Sequence, residues 1–400
     1  MPNPLQEARI PEGFQFATAA AGLVNGDRPD LLLAVAERAS PASAMFTRNA
    51  IVAAPVALSR EHLRQTDGLV RAILVNAGSA NACTGEQGDE DAMQCAAWVA
   101  ELVGCDVLEV LVFSTGVIGQ RLAMDKIEAR LGDMHAELSS EAATIDAASR
   151  AILTTDLVPK ITSRVITLED DSEAQLLGLA KGSGMIHPDM ATMLGFFFTD
   201  FDLGAGSHIL LRGAVEESFH RITVDGDTST NDAVLLWSSC AREGLAPQDE
   251  FAFFHALRDM AVDLGRAIAR DGEGASKLIE VRVLGALTPD DATKCARTIA
   301  GSSLVRTAVH GEDPNWGRIL AAAGRSGARI ETRKLRAGIG DVCLFEKDEP
   351  CAENEPAAAA HLASKEILLW VDLGAGECDS TCWSCDLTAD YIRINADYRS

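Results

Sequence analysis

The sequence contains no apolar run long enough to cross a membrane, and its first residues lack the cationic start and apolar stretch of a secretion signal. A membrane helix needs about 20 mainly apolar residues, whereas a secretion signal joins a positive start to a shorter apolar core. These absences predict a soluble, cytoplasmic protein with no membrane partner. Repeats and low-complexity tracts are also absent, and 47% hydrophobic residues in a chain of 400 are enough for two or three domains.

Basic residues are scarce in this chain. It has 35 Lys and Arg against 59 Asp and Glu, which gives a formal charge of −24. Proteins that bind nucleic acids gather Lys and Arg in order to neutralise phosphate groups. The charge balance therefore argues against a nucleic-acid partner and leaves small metabolites as the candidate ligands.

A complete zinc site is missing too. Seven of the ten cysteines are scattered through the chain, and the other three, Cys378, Cys382 and Cys385, form the pattern "CDSTCWSC". A structural zinc site normally has four ligands, and neither a second C-x-x-C pair nor a nearby histidine completes this one. We therefore predict free thiols and no bound metal. A binding or metal protein built around these three cysteines is kept as an alternative.

Helix and strand patterns are interleaved without a regular βαβ repeat, which favours an α+β fold made of layers. Asp313 and Pro314 predict the start of a helix, as cap and first helical residue. The other main predicted elements are strands at "VRAILVN", "VLEVLVF", "KLIEVRVL", "EILLWVDL" and "DYIRINADY", and helices at residues 89–104, 141–153 and 249–271.

Several common functional motifs are incomplete. The stretch "GSGMIH" supplies only two of the three glycines of a dinucleotide-binding loop, and no phosphate-binding loop is present. In "DGDTSTND", Thr230 and Leu236 stand where a calcium loop needs glycine and glutamate. Lys181 stands where the nucleophile turn of a hydrolase needs its first glycine. These motifs therefore predict neither a nucleotide site nor a calcium site.

The stretch "KGSGMIHPDMATMLGFFFTD", residues 181–200, presents Thr192 after two glycines and a proline. A threonine hydroxyl needs a base to become a nucleophile. Cleavage between Ala191 and Thr192 would supply one, because the new α-amine has a pKa of about 7.7 to 8.0. From the residues alone, a threonine at the start of a strand is the far more common interpretation.

The same stretch resembles the self-cleavage segment of the ornithine acetyltransferase family, the ArgJ type of arginine biosynthesis. The resemblance extends in family order from about residue 45 to residue 400. It is carried by "NACTGEQG", "STGVIG", "AILTTDLVPK", "KGSGMIHPDMATML", "DGDTSTND", "RDGEGASKLIEV", "EDPNWGRI" and "INADYRS". The first 40 residues match only loosely, so we expect them to be peripheral.

This resemblance implies a fold and a division of the chain. The implied fold is a layered helix-sheet-sheet-helix sandwich of the self-processing type, with a smaller C-terminal α/β domain. Residues 1–191 would form an α chain. Residues 192–285 would begin the β chain and complete the sandwich, and residues 286–400 would form its C-terminal domain.

The resemblance also implies a set of site residues. Thr192 would be the nucleophile, and Thr115 and Gly116 would form an oxyanion hole. The cleavage site would be the bond between Ala191 and Thr192. The implied substrate-binding residues are Thr155, Lys181, Thr192, Glu273, Asn395 and Ser400.

The implied reaction moves an acetyl group from N-acetylornithine to glutamate through an acetyl-threonine. It needs no metal or prosthetic group, and the sequence leaves open whether acetyl-CoA serves as a second donor. The resemblance further implies an assembly of two α and two β chains. A self-processing amidase or aminopeptidase of the same fold, which passes its acyl group to water, is the main alternative.

Three positions depart from the usual family pattern, at Ser79, Asp189 and Ala389. None of them removes a predicted catalytic group. Asp189 places a negative charge three residues before Thr192, so we expect it to influence the cleavage rate or the charge preference for substrate.

Overall fold

The computed structural model describes residues 8–187, 193–242 and 246–397 of the chain. In these ranges the strands are β1 (Phe14–Ala19), β2 (Leu31–Phe46), β3 (Leu69–Ser79), β4 (Val110–Val117), β5 (Lys160–Thr167), β6 (Glu173–Lys181), β7 (Leu194–Phe201), β8 (Ala233–Arg242), β9 (Leu278–Ala286), β10 (Arg336–Ile339), β11 (Val342–Glu346), β12 (Glu349–Pro350), β13 (Glu366–Asp372) and β14 (Cys378–Cys385).

The α-helices in the same ranges connect or cover these strands. They are α1 (Ala54–Gln65), α2 (Gly85–Val103), α3 (Met124–Ala136), α4 (Thr144–Ala151), α5 (Ser207–Glu217), α6 (Pro247–Arg270), α7 (Pro289–Ala300), α8 (Ser303–His310), α9 (Trp316–Gly324), α10 (Glu355–Leu362) and α11 (Ala389–Asp397).

The long strand β2 belongs to two sheets. Its first part, Leu31–Val35, pairs with β3, and its last part, Ala42–Phe46, pairs with β8. The register with β3 shifts between Val35 and Ser40, and the strand passes to the second sheet after Pro41, the last residue that pairs with β3. The first sheet therefore contains β1, β2, β3 and β4, and the second contains β2, β8, β7, β6 and β5.

Aromatic side chains fill the space between these two sheets. Phe198 on β7 lies with its ring centroid 5.4 Å from Phe14, 4.8 Å from Phe16 and 6.1 Å from Trp237. All four side chains are buried in one apolar cluster that includes residues from both sheets. Alternate residues of each strand face this cluster, because successive side chains of a strand point to opposite sides.

The outer face of each sheet is covered by helices. Helices α2 and α3 pack on the first sheet, and α5 and α6 pack on the second. The order of layers is helix, sheet, sheet, helix, which confirms the predicted α+β sandwich. Helix α2 ends as predicted at Gly104, whose φ of 70° lies in the left-handed region that glycine adopts most easily.

A third sheet forms the C-terminal part of the chain. Its strand order is β12-β11-β10-β13-β9-β14, and helices α7, α9 and α10 contribute to its apolar core. Strand β9 pairs in parallel with β13 and antiparallel with β14, so this sheet begins at Leu278. The division of the chain at residues 191 and 285 stays a prediction.

The expectation that the first 40 residues are peripheral is wrong. Strand β1 pairs with β2 along its whole length, and Phe14 and Phe16 are buried between the two sheets. A loose match to family motifs does not indicate that residues are exposed, because many different apolar side chains can fill the same core position.

Two predicted local structures are also wrong. "DYIRINADY" forms most of helix α11, because the Thr388 hydroxyl accepts the backbone N–H groups of Asp390 and Tyr391 at 3.1 and 3.3 Å and so caps a helix start. Helix α9 begins two residues later than predicted, where Asn315 rather than Asp313 caps it.

Shortening Phe198 tests the aromatic layer between the sheets. We expect Phe198→Ala to lower the free energy of unfolding by about 3–5 kcal/mol, because a large buried ring is replaced by a cavity. Chemical denaturation followed by circular dichroism measures the change. Ile209→Ala is the control, since Ile209 is 75% exposed and should lose less than about 0.5 kcal/mol. Equal losses in the two variants would contradict this description of the core.

Candidate active site

A cavity of about 170 Å³ lies where β4 and β6 end and where β7 and β8 begin. The end of β4 comes from the first sheet and the other three strand ends come from the second. The residues that line the cavity are Ala80, Thr115, Gly116, Ile118, Thr154, Thr155, Lys181, Gly184, Met185, Met193, Leu194, Asp225, Asp227, Ser229, Thr230, Asn231, Asp232, Glu273, Tyr391 and Asn395.

Six of the predicted site residues share this cavity, although they are far apart in sequence. They are Thr115, Gly116, Thr155, Lys181, Glu273 and Asn395. Thr192, Ala191, Asp189 and Ser400 lie outside the described residues. Met193, which directly follows Thr192 in the chain, lines the cavity. The individual roles assigned to these residues stay predictions.

The turn that carries Thr115 and Gly116 depends on a close approach between two parallel strands. Gly116 on β4 pairs with Gly78 on β3, and its φ is 134°. A Cβ atom at residue 116 would lie 2.3 Å from the carbonyl carbon of Gly78, so only glycine fits. The backbone of β4 can therefore reach the cavity wall without a side chain in the way.

Asn231 joins the two sheets beside this turn. Its side-chain amide donates hydrogen bonds to the carbonyl oxygen of Ala80 at 2.6 Å and to that of Ser114 at 2.9 Å. Asn231 lies two residues before the start of β8, whereas Ser114 lies on β4. This buried amide holds the end of the first sheet against the start of the second. The motif "DGDTSTND", which contains Asn231, did not predict this bridging role.

Lys181 is 7% exposed, and its ammonium group is already engaged inside the protein. Nζ donates to the Thr154 hydroxyl at 2.7 Å and to the Thr115 hydroxyl at 3.2 Å. Burial lowers its pKa, against the effect of nearby carboxylates such as Asp156. Lys181 therefore ties the Thr115 turn to the loop that contains Thr154 and Thr155.

Lys181 belongs to a buried network of charged side chains. Asp156 lies 3.9 Å from Lys181 Nζ, accepts a hydrogen bond from Lys160 Nζ at 2.7 Å, and accepts the Gly182 N–H at 2.6 Å. Lys160 also donates to Asp271 at 2.6 Å. Burial opposes ionisation of Asp156, but Lys181 and Lys160 outweigh it and hold the pKa of Asp156 below its usual value. The sequence did not predict this network, because Lys181 and Asp271 are distant along the chain from Asp156 and Lys160.

Glu273 reaches the cavity from the loop that follows α6. Asn395 on α11 donates to its carboxylate at 2.9 Å, and the Glu273 N–H donates to the Ser183 carbonyl oxygen at 3.2 Å. The carboxylate lies directly over Gly184, where a Cβ atom would be 2.4 Å from the Glu273 Cδ atom. Two predicted substrate-binding residues are therefore in contact, and Gly184 makes room for them.

Carboxyl groups dominate the charge of the cavity. Lys181 is the only Lys or Arg among the described residues that line it, and it faces four carboxyl groups, those of Asp225, Asp227, Asp232 and Glu273. Asp225 accepts the backbone N–H groups of Met185 and Ile186 at 2.6 and 2.8 Å, and burial raises its pKa. An excess of acidic groups favours a ligand that carries a positive charge.

The three C-terminal cysteines do not converge. All lie on β14, where Cys382 belongs to the core of the third sheet and Cys385 belongs to the core beneath α6. Burial raises the pKa of Cys382 to about 12 and that of Cys385 to about 11, so both are thiols rather than thiolates. In the described ranges no group of three or more His, Cys, Asp or Glu side chains is arranged to hold a metal ion.

Comparison with known proteins gives the family. The family model described as "ArgJ family" matches residues 15–400. The arginine biosynthesis bifunctional protein ArgJ of Symbiobacterium thermophilum is 46% identical over 402 residues, which cover 98% of each chain. The protein of the same name from Parasynechococcus marenigrum is 45% identical and covers 97% of this chain and 94% of its own.

This chain belongs to the ArgJ family. It is therefore an acyltransferase. A crystal structure of ArgJ from Bacillus halodurans is 42% identical to it and covers 51% of this chain and 98% of its own, with a TM-score of 0.49. Within the described part of this ArgJ-family chain, no helix combines the length and the apolar character that crossing a membrane requires.

Replacing Asp156 tests the buried charge network. We expect Asp156→Asn to lower the free energy of unfolding of this ArgJ-family enzyme by about 3–5 kcal/mol at pH 7, because two buried lysines lose their shared partner. The folded-state pKa of Asp156 is lowered, so its stabilisation is complete above the ordinary value of 3.8 and is lost as the pH falls below it. Denaturation at pH 7 and at lower pH should show the difference between variant and wild type narrowing in acid.

The control for this prediction is Glu216→Gln, which breaks an exposed pair with Arg212. Exposed pairs contribute about 0–1 kcal/mol, so this variant should stay close to wild type. If Asp156→Asn were as stable as Glu216→Gln at pH 7, the network would not carry the stability assigned to it.

A methyl group at residue 184 tests the position of Glu273. We expect Gly184→Ala to reduce kcat/KM for acyl transfer by about 10²-fold, because the new Cβ displaces the carboxylate by an ångström or more. Gly132→Ala is the matched control, since nothing lies within 4 Å of a Cβ atom there. Steady-state kinetics of both folded variants measure the change in kcat/KM. An unchanged kcat/KM in Gly184→Ala would show that Glu273 does not act at this position.

Proposed function

We propose that this enzyme is a glutamate N-acetyltransferase that moves the acetyl group of N²-acetyl-L-ornithine to L-glutamate in arginine biosynthesis. The observation that carries the proposal is the meeting of six family-motif residues in one cavity, next to Met193. Four relatives that are 43–46% identical over 97–98% of this chain are named arginine biosynthesis bifunctional proteins. The names of these relatives support a role in arginine biosynthesis.

The proposed enzyme is active only after cleavage between Ala191 and Thr192. The new α-amine of Thr192 then serves as the base for its own hydroxyl, so no histidine is needed at the site. Strands β6 and β7 lie on opposite sides of the cut and pair from Leu176 to Lys181 in an antiparallel ladder. These hydrogen bonds would hold the α and β chains together after cleavage, and we propose that two such pairs associate.

The reaction then proceeds in two half-reactions. The Thr192 hydroxyl attacks the acetyl carbonyl, ornithine leaves, and the amine of glutamate takes the acetyl group from the enzyme. Backbone donors at Thr115 and Gly116 would stabilise the oxyanion, a contribution that is typically about 10²- to 10³-fold in rate for each donor. The glycine pair that brings β4 against β3 aims this turn at the cavity.

The charge of the cavity suits the substrates. N-acetylornithine carries a terminal ammonium group, and the carboxylate of Glu273, which accepts a hydrogen bond from Asn395, would receive it. Lys181 lies next to the Thr115 hydroxyl and supplies positive charge beside the predicted oxyanion site. Thr155 and Ser400 complete the proposed set of substrate contacts. No prosthetic group takes part, and acetyl-CoA is proposed only as a second acetyl donor.

Replacing the nucleophile tests the proposal. We expect wild-type protein to give two fragments on a denaturing gel, residues 1–191 and 192–400, and Thr192→Ala to give one intact chain without acetyl transfer. Thr192→Ser is the matched control, because it keeps a hydroxyl and should still be cleaved. Intact mass spectrometry after incubation with N-acetylornithine alone should find an acetyl group on the second fragment.

The kinetic test separates this enzyme from an amidase of the same fold. Parallel lines in a double-reciprocal plot, with acetylglutamate as the product, support transfer to glutamate. Release of acetate at the same rate with and without glutamate would favour the amidase. An intact wild-type chain that still transfers acetyl groups would rule out the amine as base.

A further inference from the structure

The cleavage that creates the α-amine of Thr192 cannot use that amine as its base. In the uncleaved chain the same nitrogen is part of a peptide bond and has no basic lone pair. A threonine hydroxyl still needs a proton acceptor within hydrogen-bond reach before it can attack the neighbouring carbonyl group. The precursor therefore requires a second base near residue 192.

Asp232 lies beside Met193, the residue that directly follows Thr192 in the chain. The Ala233 N–H donates to the Met193 carbonyl oxygen at 3.0 Å, and Leu194 pairs with Ala233 in the parallel ladder of β7 and β8. The Met193 N–H also interacts with the Asp232 carboxyl group, where it opposes the rise in pKa that burial causes. The carboxyl group therefore lies next to the residue that directly follows the predicted nucleophile.

One oxygen of this carboxyl group is unused. Asp232 is 2% exposed, and its Oδ2 atom has no hydrogen-bond partner among the described residues. Buried polar atoms nearly always have a partner, so a free acceptor that lines a cavity indicates a function. Here the cavity is the one that contains Thr115, Lys181 and Glu273.

The environment of Asp232 makes it a stronger base than an ordinary aspartate. Burial raises the pKa of Asp232 well above its usual value, and hydrogen bonds from Met193 and Ser229 and the charge of Lys181 oppose this shift only in part. A carboxyl group with a raised pKa accepts a proton more readily and returns it nearer to neutral pH.

The other candidates in the cavity are already engaged. Asp225 accepts two backbone N–H groups, Glu273 accepts the amide of Asn395, and the Nζ atom of Lys181 donates to two hydroxyl groups. These hydrogen bonds hold each of the three side chains in place. Asp232 combines an oxygen that has no partner among the described residues with a position beside Met193, the residue that directly follows Thr192.

We propose that Asp232 is the general base that starts cleavage of the Ala191–Thr192 peptide bond. This inference rests on the proposed function, in which that cleavage produces the active enzyme. It assigns Asp232 to the formation of the enzyme, whereas the α-amine of Thr192 acts in each later turnover.

The proposed steps conserve atoms and charge. The Asp232 carboxylate takes the proton of the Thr192 hydroxyl, and Oγ1 forms a bond to the carbonyl carbon of Ala191. The bond between that carbon and the Thr192 nitrogen breaks, and Asp232 returns the proton to the nitrogen, which becomes the free amine. Water then hydrolyses the ester between Ala191 and Thr192, which releases the Ala191 carboxylate and restores the hydroxyl.

Timed cleavage of freshly made full-length chain tests this role. The protein is produced by cell-free translation, and loss of the intact chain is followed on denaturing gels. We expect Asp232→Asn and Asp232→Ala to be cleaved about 10²- to 10⁴-fold more slowly than wild type. Added formate should restore cleavage in Asp232→Ala, because a small carboxylate can enter the vacated space, but not in Asp232→Asn, where the amide fills it.

The matched control is Asp89→Ala, which removes an exposed carboxyl group on α2, away from the cavity. It should be cleaved at close to the wild-type rate and should not respond to formate. Circular dichroism checks that each variant is folded. If Asp232→Ala does not fold, the isosteric Asp232→Asn decides alone.

Cleavage of folded Asp232→Asn within tenfold of the wild-type rate would overturn the role of Asp232, and so would slow cleavage of Asp232→Ala that formate does not change. These outcomes are distinct from failure of the proposed function. That failure would appear as a wild-type chain that is not cleaved between Ala191 and Thr192 at all.

Discussion

The face-to-face packing of two sheets that share strand β2 is the constraint on which the rest of the structure depends. Because β2 passes from one sheet to the other, the end of β4 is brought to the starts of β7 and β8. Aromatic rings fill the layer between the sheets, and the amide of Asn231 links their edges. The candidate active site occupies the gap that remains between these strand ends.

This arrangement brings four strand ends to the candidate active site, which in the proposed mechanism uses neither a metal ion nor a histidine. The end of a parallel strand pair leaves backbone donors that face outward, and here Gly78 and Gly116 let two strands approach closely enough to aim them. The start of another parallel pair, β7 and β8, brings Met193 and Asp232 to the same place. In the proposed mechanism, one side of the cavity would stabilise the oxyanion and the other would supply the nucleophile and a base.

Burying charged groups at the site is unfavourable, and the structure offsets this because charged side chains share partners of opposite charge. Asp156 lies between Lys160 and Lys181, and Lys160 also contacts Asp271 at the end of α6. A buried ion without a partner would be strongly unfavourable, so each member of the network constrains the position of the next. Asp232 departs from this pattern, since burial leaves one of its oxygens free. Departures of this kind are expected where function outweighs stability.

Much of the fold and of the site could be recognised from local sequence. Apolar periodicity located strands β3, β9 and β13 and helix α6, and the family motifs pointed to six residues that share one cavity. Periodicity failed at "DYIRINADY", where a single capping hydroxyl at Thr388 favoured helix over strand. It also could not show that β1 and β2 lie in the centre of the sandwich, since burial depends on packing partners.

By itself, the sequence determined the family, the candidate nucleophile and the types of most secondary-structure elements, because these are written in short contiguous patterns. Only the tertiary structure decided which polar groups lie in contact. Lys181 pairs with Thr154 and Thr115, Asn231 bridges two sheets, and Asp232 keeps a free oxygen beside Met193. These relations depend on distances between residues that are far apart along the chain, and those distances exist only once the two sheets have packed together.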